Sequence, residues 1–129
     1  RLALLTGEQR YADAAERVFT LFYKDVAQSP AGFSSLLTAL DEWLKPPRLV
    51  VLRGPAEPLT TWQAALAPFA IGRTLILALP NACPGLPPTL AKPPSPVDNA
   101  WVCEGVTCLP ALSELEALVN LLSKPVKVK

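Results

Sequence analysis

The sequence contains no histidine and no methionine, and only 3 cysteines. Without histidine there is no Ser-His-Asp or Cys-His nucleophile pair, no histidine acid–base catalysis and no His-ligated zinc. An odd number of cysteines argues against a secreted disulfide scaffold, so a reducing cytoplasm is the default expectation. Charge is sparse and balanced: 12 Lys and Arg against 11 Asp and Glu leave a formal net charge of +1. No basic patch stands out, which argues against nucleic acid as a partner. Prolines and charges interrupt every apolar run before it reaches the length of a membrane span, which argues against a membrane partner. The first residues do not read as a signal peptide.

What is present is apolar. Half of the 129 residues are hydrophobic. That is enough for one compact domain with a core, and rich enough to predict apolar surface that meets a partner. The chain is organised around residues 48–79. Leu49-Val50-Val51-Leu52-Arg53 is a short apolar run closed by Gly54-Pro55, and Thr74 to Leu79 is a second, closed by Pro80-Asn81. A helical pattern lies between them, with Thr60 expected as its cap, Gln63 in capping-box position, and Pro68 bending or ending it. Two unbroken apolar strands joined by a helix read as a βαβ unit with parallel strands.

Upstream the pattern is helical. Residues 1–6 read as the last turns of a helix ended by Gly7, which predicts a fragment of a longer protein. A helix is expected over 8–28, with Tyr11, Ala15, Val18, Phe19 and Phe22 as its apolar stripe. A second is expected over 31–45, with Phe33, Leu36, Leu37, Leu40, Trp43 and Leu44, stopped by Pro46-Pro47. Downstream, residues 80–96 hold seven of the 15 prolines and read as an extended surface loop. A third strand is expected near 100–103. A last helix is expected over 113–123, capped by Ser113 with Glu116 and ended by Pro125. The fold class is therefore α/β: an αα-hairpin over 1–46, then a small three-layer domain over 47–129. Its sheet is expected to be three-stranded and mostly parallel, with a Pro-rich loop at 80–98.

Few residues offer chemistry. Cys103 and Cys108, five apart across a Gly-containing turn, are the best candidates, as packed structural thiols, a reversible disulfide or a metal site. The spacing is not that of a C-x-x-C motif, and a four-coordinate zinc would need Cys83 or a carboxylate as well. In the redox case Cys108 is the expected nucleophile and Cys103 the resolving residue. Gly54-Pro55 ends a strand running towards a helix N-terminus, a phosphate-binding place in doubly wound folds, but no G-x-G-x-x-G or Walker pattern accompanies it, so a tight turn is expected. Asp13, Glu16, Asp41 and Glu42 lie on the helical hairpin. Carboxylate pairs serve glycoside chemistry, but on helical faces they are usually solvated, and for Asp41 and Glu42 a pairing with Arg48 or Lys45 is the alternative. Trp43, Trp62 and Trp101 are expected in the core. No cofactor and no metal ligand set is predicted.

The order of these pieces resembles one family. The pieces are Leu4-Leu5-Thr6-Gly7-Glu8 with Tyr11 and Ala15, Ala39-Leu40-Asp41, Leu49 to Gly54, and Ala100-Trp101-Val102-Cys103 with Cys108 and Pro110. They are similar to the C-terminal end of the thioredoxin-domain proteins related to the spermatogenesis-associated thioredoxin-like protein. The resemblance spans nearly the whole chain, with Trp101 where the family usually has tyrosine and Leu109 alone between Cys108 and Pro110. It implies a thioredoxin-like domain and a six-hairpin α/α toroid, similar to sugar epimerases and glycosidases, ahead of a small α/β tail. The implied activity is unsettled, so no catalytic residue is carried over. The expected role is a structural or interaction domain whose partner is the remainder of the parent chain, with self-association through the hairpin as a further expectation. The alternatives are a thiol-redox module using Cys103 and Cys108 and, more weakly, part of a sugar-processing protein.

Overall fold

The computed structural model describes residues 1–105 and 107–124. The expected end of the last helix at Pro125 lies outside them. Among the described residues, five α-helices and four strands follow in the order α1 (Leu2–Thr6), α2 (Gln9–Gln28), α3 (Ser34–Leu44), β1 (Arg48–Gly54), α4 (Ala56–Leu66), β2 (Thr74–Pro80), β3 (Asn99–Glu104), β4 (Thr107–Cys108) and α5 (Leu115–Leu122). The class is α/β, and the N-terminal helices fall where the periodicity places them. Gly7 ends α1 with a φ of 73°, and its N–H reaches the Ala3 carbonyl. That left-handed turn suits glycine.

The sheet corrects the expectation of three mostly parallel strands. Among the described residues it has four strands, in the order β2-β1-β3-β4. β1 and β2 are parallel, Arg48 against Thr74 through Gly54 against Pro80. β3 is antiparallel to β1, with Arg53 opposite Asn99, and β4 is antiparallel to β3. The reason lies in the connector. A parallel return needs a crossover to the far end of the sheet, usually a helix. The proline-rich stretch 81–98 builds no helix. It delivers β3 to the end where β2 stopped, and from there the chain runs back down β1.

Alternate residues of β1 feed two apolar clusters, as a strand covered on both faces requires. Val50 and Leu52 join Leu59, Leu66, Ala100, Val102, Leu118 and Leu122, with Trp62 and Phe69 packed against them. This side is covered by α4 and α5. Leu49 and Val51 join Leu90 and Cys103, with Leu5, Leu77, Leu86 and Trp101 alongside. This second side is covered by α1 and the proline-rich stretch. That stretch is irregular, but Leu90 is only 8% exposed, so it is a layer of the core and not simply a surface loop.

Two helix starts also differ. α4 begins at Ala56, not Thr60, and no side-chain cap bond forms. Pro58 sits in its first turn, where no backbone N–H is needed. The Thr60 hydroxyl instead donates to the Glu57 carbonyl. Pro68 closes the helix through a 3₁₀ turn, Ala67–Phe69, as expected. α5 begins at Leu115, with no Ser113 capping box. Leu112 exchanges both backbone hydrogen bonds with Ala100, at 2.9 Å each, and holds the chain extended immediately before Ser113.

Candidate functional site

Cys103 and Cys108 face each other across β3 and β4 and form a disulfide. Gly105, with a φ of 61°, makes the reversal of direction. Cys103 is 4% exposed among Val51 and Leu49, whereas Cys108 is half-buried. The two expected candidates are thus one bonded pair, of which Cys103 is also a packing group. Cys83 is unpaired and half-buried. Among the described residues no group of three or more His, Cys, Asp or Glu is placed to hold a metal ion.

The proline-rich layer contributes a residue that sequence reasoning missed. The Lys92 ammonium lies 3.2 Å from the Cys108 sulfur. Lys92 is anchored by its neighbours: its N–H donates to the Leu90 carbonyl at 2.7 Å, and Leu90 is buried. Pro93 follows it and restricts its backbone. No periodicity marks a lysine in such a segment, so only the fold could show this contact.

A second feature is the helical hairpin. Helices α1, α2 and α3 contain no buried residue. The expected buried stripe of α2 is therefore only partly covered: Tyr11, Ala15 and Phe19 are half-buried, Val18 is 42% exposed, and Phe19 meets the edge of Trp43 at 5.8 Å between ring centres. Leu2, Tyr11, Ala15, Phe19, Trp43 and Pro46 line a groove of ≈ 730 Å³ with Arg1 and Glu42 at its edge. Trp43 is 40% exposed and so is not a core residue, unlike Trp62 and Trp101, which pack against the sheet.

Three of the four hairpin carboxylates, Asp13, Asp41 and Glu42, are engaged in ion pairs and hydrogen bonds, while Glu16 is exposed. Glu42 pairs with Arg1 and Asp41 with Arg73, in place of the expected Arg48 or Lys45. Arg48 pairs with Glu104 at 3.1 Å. Asp13 accepts from the Gln9 amide, across one helical turn. The Arg1 guanidinium holds the Glu42 carboxyl below its usual range, chiefly through the hydrogen bond.

The C-terminal end of the parallel strands is polar and buried. The Arg53 guanidinium donates to the Leu79 and Pro80 carbonyls, and Asn81 and Ser95 exchange two hydrogen bonds. Asp98 is 9% exposed, and its Oδ1 has no hydrogen-bond partner among the described residues. Burial pushes its carboxyl up. A Cβ on Gly54 would stand 2.2 Å from that oxygen. Glycine is therefore required by the close approach of Asp98, and a carboxylate at this place opposes phosphate binding.

No family model, curated protein or solved structure matches the chain.

Proposed function

We propose that this chain is a non-catalytic docking domain: the C-terminal part of a larger cytoplasmic protein of the thioredoxin-like, α/α-toroid kind described above. Its docking surface is the α1–α3 hairpin, and its occupant is the helical remainder of the parent chain. The observation that carries this reading is the contrast between the two halves. The sheet with α4 and α5 holds the buried core, while the hairpin presents Leu2, Tyr11, Phe19 and Trp43 around an open groove. An apolar surface of this kind is characteristic of an interface. No helix among the described residues is long and apolar enough to cross a membrane. The test is binding of the 129-residue chain to the rest of the parent polypeptide supplied separately. Leu2→Glu with Trp43→Ser should abolish binding while the sheet core keeps its unfolding midpoint. Binding unaffected by both substitutions would overturn the proposal.

A second reading is thiol exchange at Cys103 and Cys108, and the disulfide itself favours it. In a reducing cytoplasm a disulfide, where one forms, is usually transient and catalytic or sensing. Incubation in glutathione redox buffers tests it. Exchange at physiological ratios supports the reading, and a bond that stays closed in millimolar reduced glutathione contradicts it. The sugar-processing alternative draws no support from the hairpin carboxylates Asp41 and Glu42, which are tied up in ion pairs.

A further inference from the structure

We propose that Lys92 makes Cys108 the attacking thiolate of a thiol–disulfide exchange site, with Cys103 as the resolving thiol and accessible protein or low-molecular-weight disulfides as substrates. This rests on the second reading above. The two sulfurs differ in access and in charge environment. Cys103 is 4% exposed and packed beneath the proline-rich layer, so an external sulfur cannot reach it directly. Cys108 stands at the sheet edge in the last strand, half-buried. Lys92 is 3.2 Å from its sulfur. A nearby ammonium favours the charged thiolate over the thiol, while partial burial opposes it. Lys92 already stands at hydrogen-bond distance from this sulfur in the closed pair. The other charges on the paired strands are engaged elsewhere: Arg48 pairs with Glu104, and Arg53 donates to the Leu79 and Pro80 carbonyls.

In the reduced pair the Cys108 thiolate attacks one sulfur of an external disulfide. A bond forms between the two sulfurs, the external disulfide breaks, and its second sulfur leaves as a thiolate that takes up a proton. Cys103 then loses its proton to solvent and attacks the Cys108 sulfur. The intramolecular disulfide closes and the remaining substrate sulfur departs. Two electrons pass from the cysteine pair to the external disulfide. A low-molecular-weight thiol such as glutathione runs the sequence backwards and regenerates the dithiol.

The experiment uses the full chain with Cys83→Ser, reduced and alkylated with iodoacetamide across a pH series, with the modified cysteine identified by mass spectrometry. Cys108 should react first, with an apparent pKa below the ~8.5 of a free cysteine. Lys92→Gln should raise that value by roughly one unit and slow alkylation several-fold at neutral pH. Lys92→Arg should restore it, and circular dichroism should show all variants folded. A Cys108 that titrates at or above the free-cysteine value, or that ignores Lys92→Gln, overturns the inference. If the pair still equilibrates with glutathione in that case, thiol exchange survives and only the role of Lys92 falls. If the disulfide resists glutathione altogether, both fall.

Discussion

At Gly54 one hydrogen in place of a methyl group lets two parts of the chain meet. Asp98 fills the space a side chain would need, and its Cα would lie 3.0 Å from an added Cβ. Gly54→Ala should therefore destabilise the fold by about 1–3 kcal/mol, the range for overpacking. Chemical denaturation measures this, and Asp98→Ala in the same chain should recover part of the loss. Two carboxylates set opposite pH trends. Asp98 is raised by burial, so its contribution is in place below the ~3.9 of an unfolded aspartate and is lost as pH rises through its folded value. Glu42 is lowered by Arg1, so its contribution is present above the ~4.3 of an unfolded glutamate and is lost as pH falls through its folded value. Denaturation midpoints taken from acid to neutral pH should show Asp98→Asn gaining stability on the neutral side. Glu42→Gln should lose a little there and nothing at the acid end. Trends of the opposite sign would contradict both assignments.

Among the elements, β1 should dominate stability and α2 should contribute little. Leu52 is fully buried and Leu21 is 72% exposed. Leu52→Ala should cost about 2–5 kcal/mol, and Leu21→Ala should stay within about 0.5 kcal/mol. Leu90→Ala is the informative case, since it separates a surface loop from a core layer; a loss of about 2 kcal/mol or more is expected. Removing the disulfide with Cys108→Ser opens a loop of sequence separation 5. The chain-entropy model gives about 2 kcal/mol for so short a loop. The helices and both parallel strands were legible because their signals are local: Leu49 to Leu52 and Thr74 to Leu79 are unbroken apolar runs, and α2 and α3 keep helical spacing. What was illegible is non-local. Leu86 and Leu90 sit among prolines without any period, so nothing in the sequence marks them as covering the sheet. β4 is two residues long and exists only as the partner of β3. Ser113 and Glu116 make a convincing capping box, but the bridge between Ala100 and Leu112 overrides it. The cysteine pair was visible as a spacing, and Lys92 was not visible at all.

At the scale of the molecule, apolar surface is distributed unequally. Sheet, α4, α5 and the proline-rich layer bury their apolar residues around β1. No aromatic residue of the hairpin is fully buried, and four are joined in edge and tilted pairs: Phe19 with Trp43, and Phe22 with Phe33. Full burial of an exposed apolar side chain is worth about 1.5–3 kcal/mol, and Leu2 and Trp43, 56% and 40% exposed, would each gain roughly half of that against a partner. A groove closed on several of them would therefore hold two parts of one protein together. The docking account predicts where solvent is excluded when those parts are joined. Hydroxyl-radical footprinting, read by mass spectrometry, compares the isolated 129-residue chain with the intact parent protein. The account predicts that Tyr11, Phe19 and Trp43 are reactive in the isolated chain and strongly protected in the parent, while Ile71, 80% exposed and away from the groove, reacts equally in both. Equal reactivity of Tyr11, Phe19 and Trp43 in the two samples would contradict it.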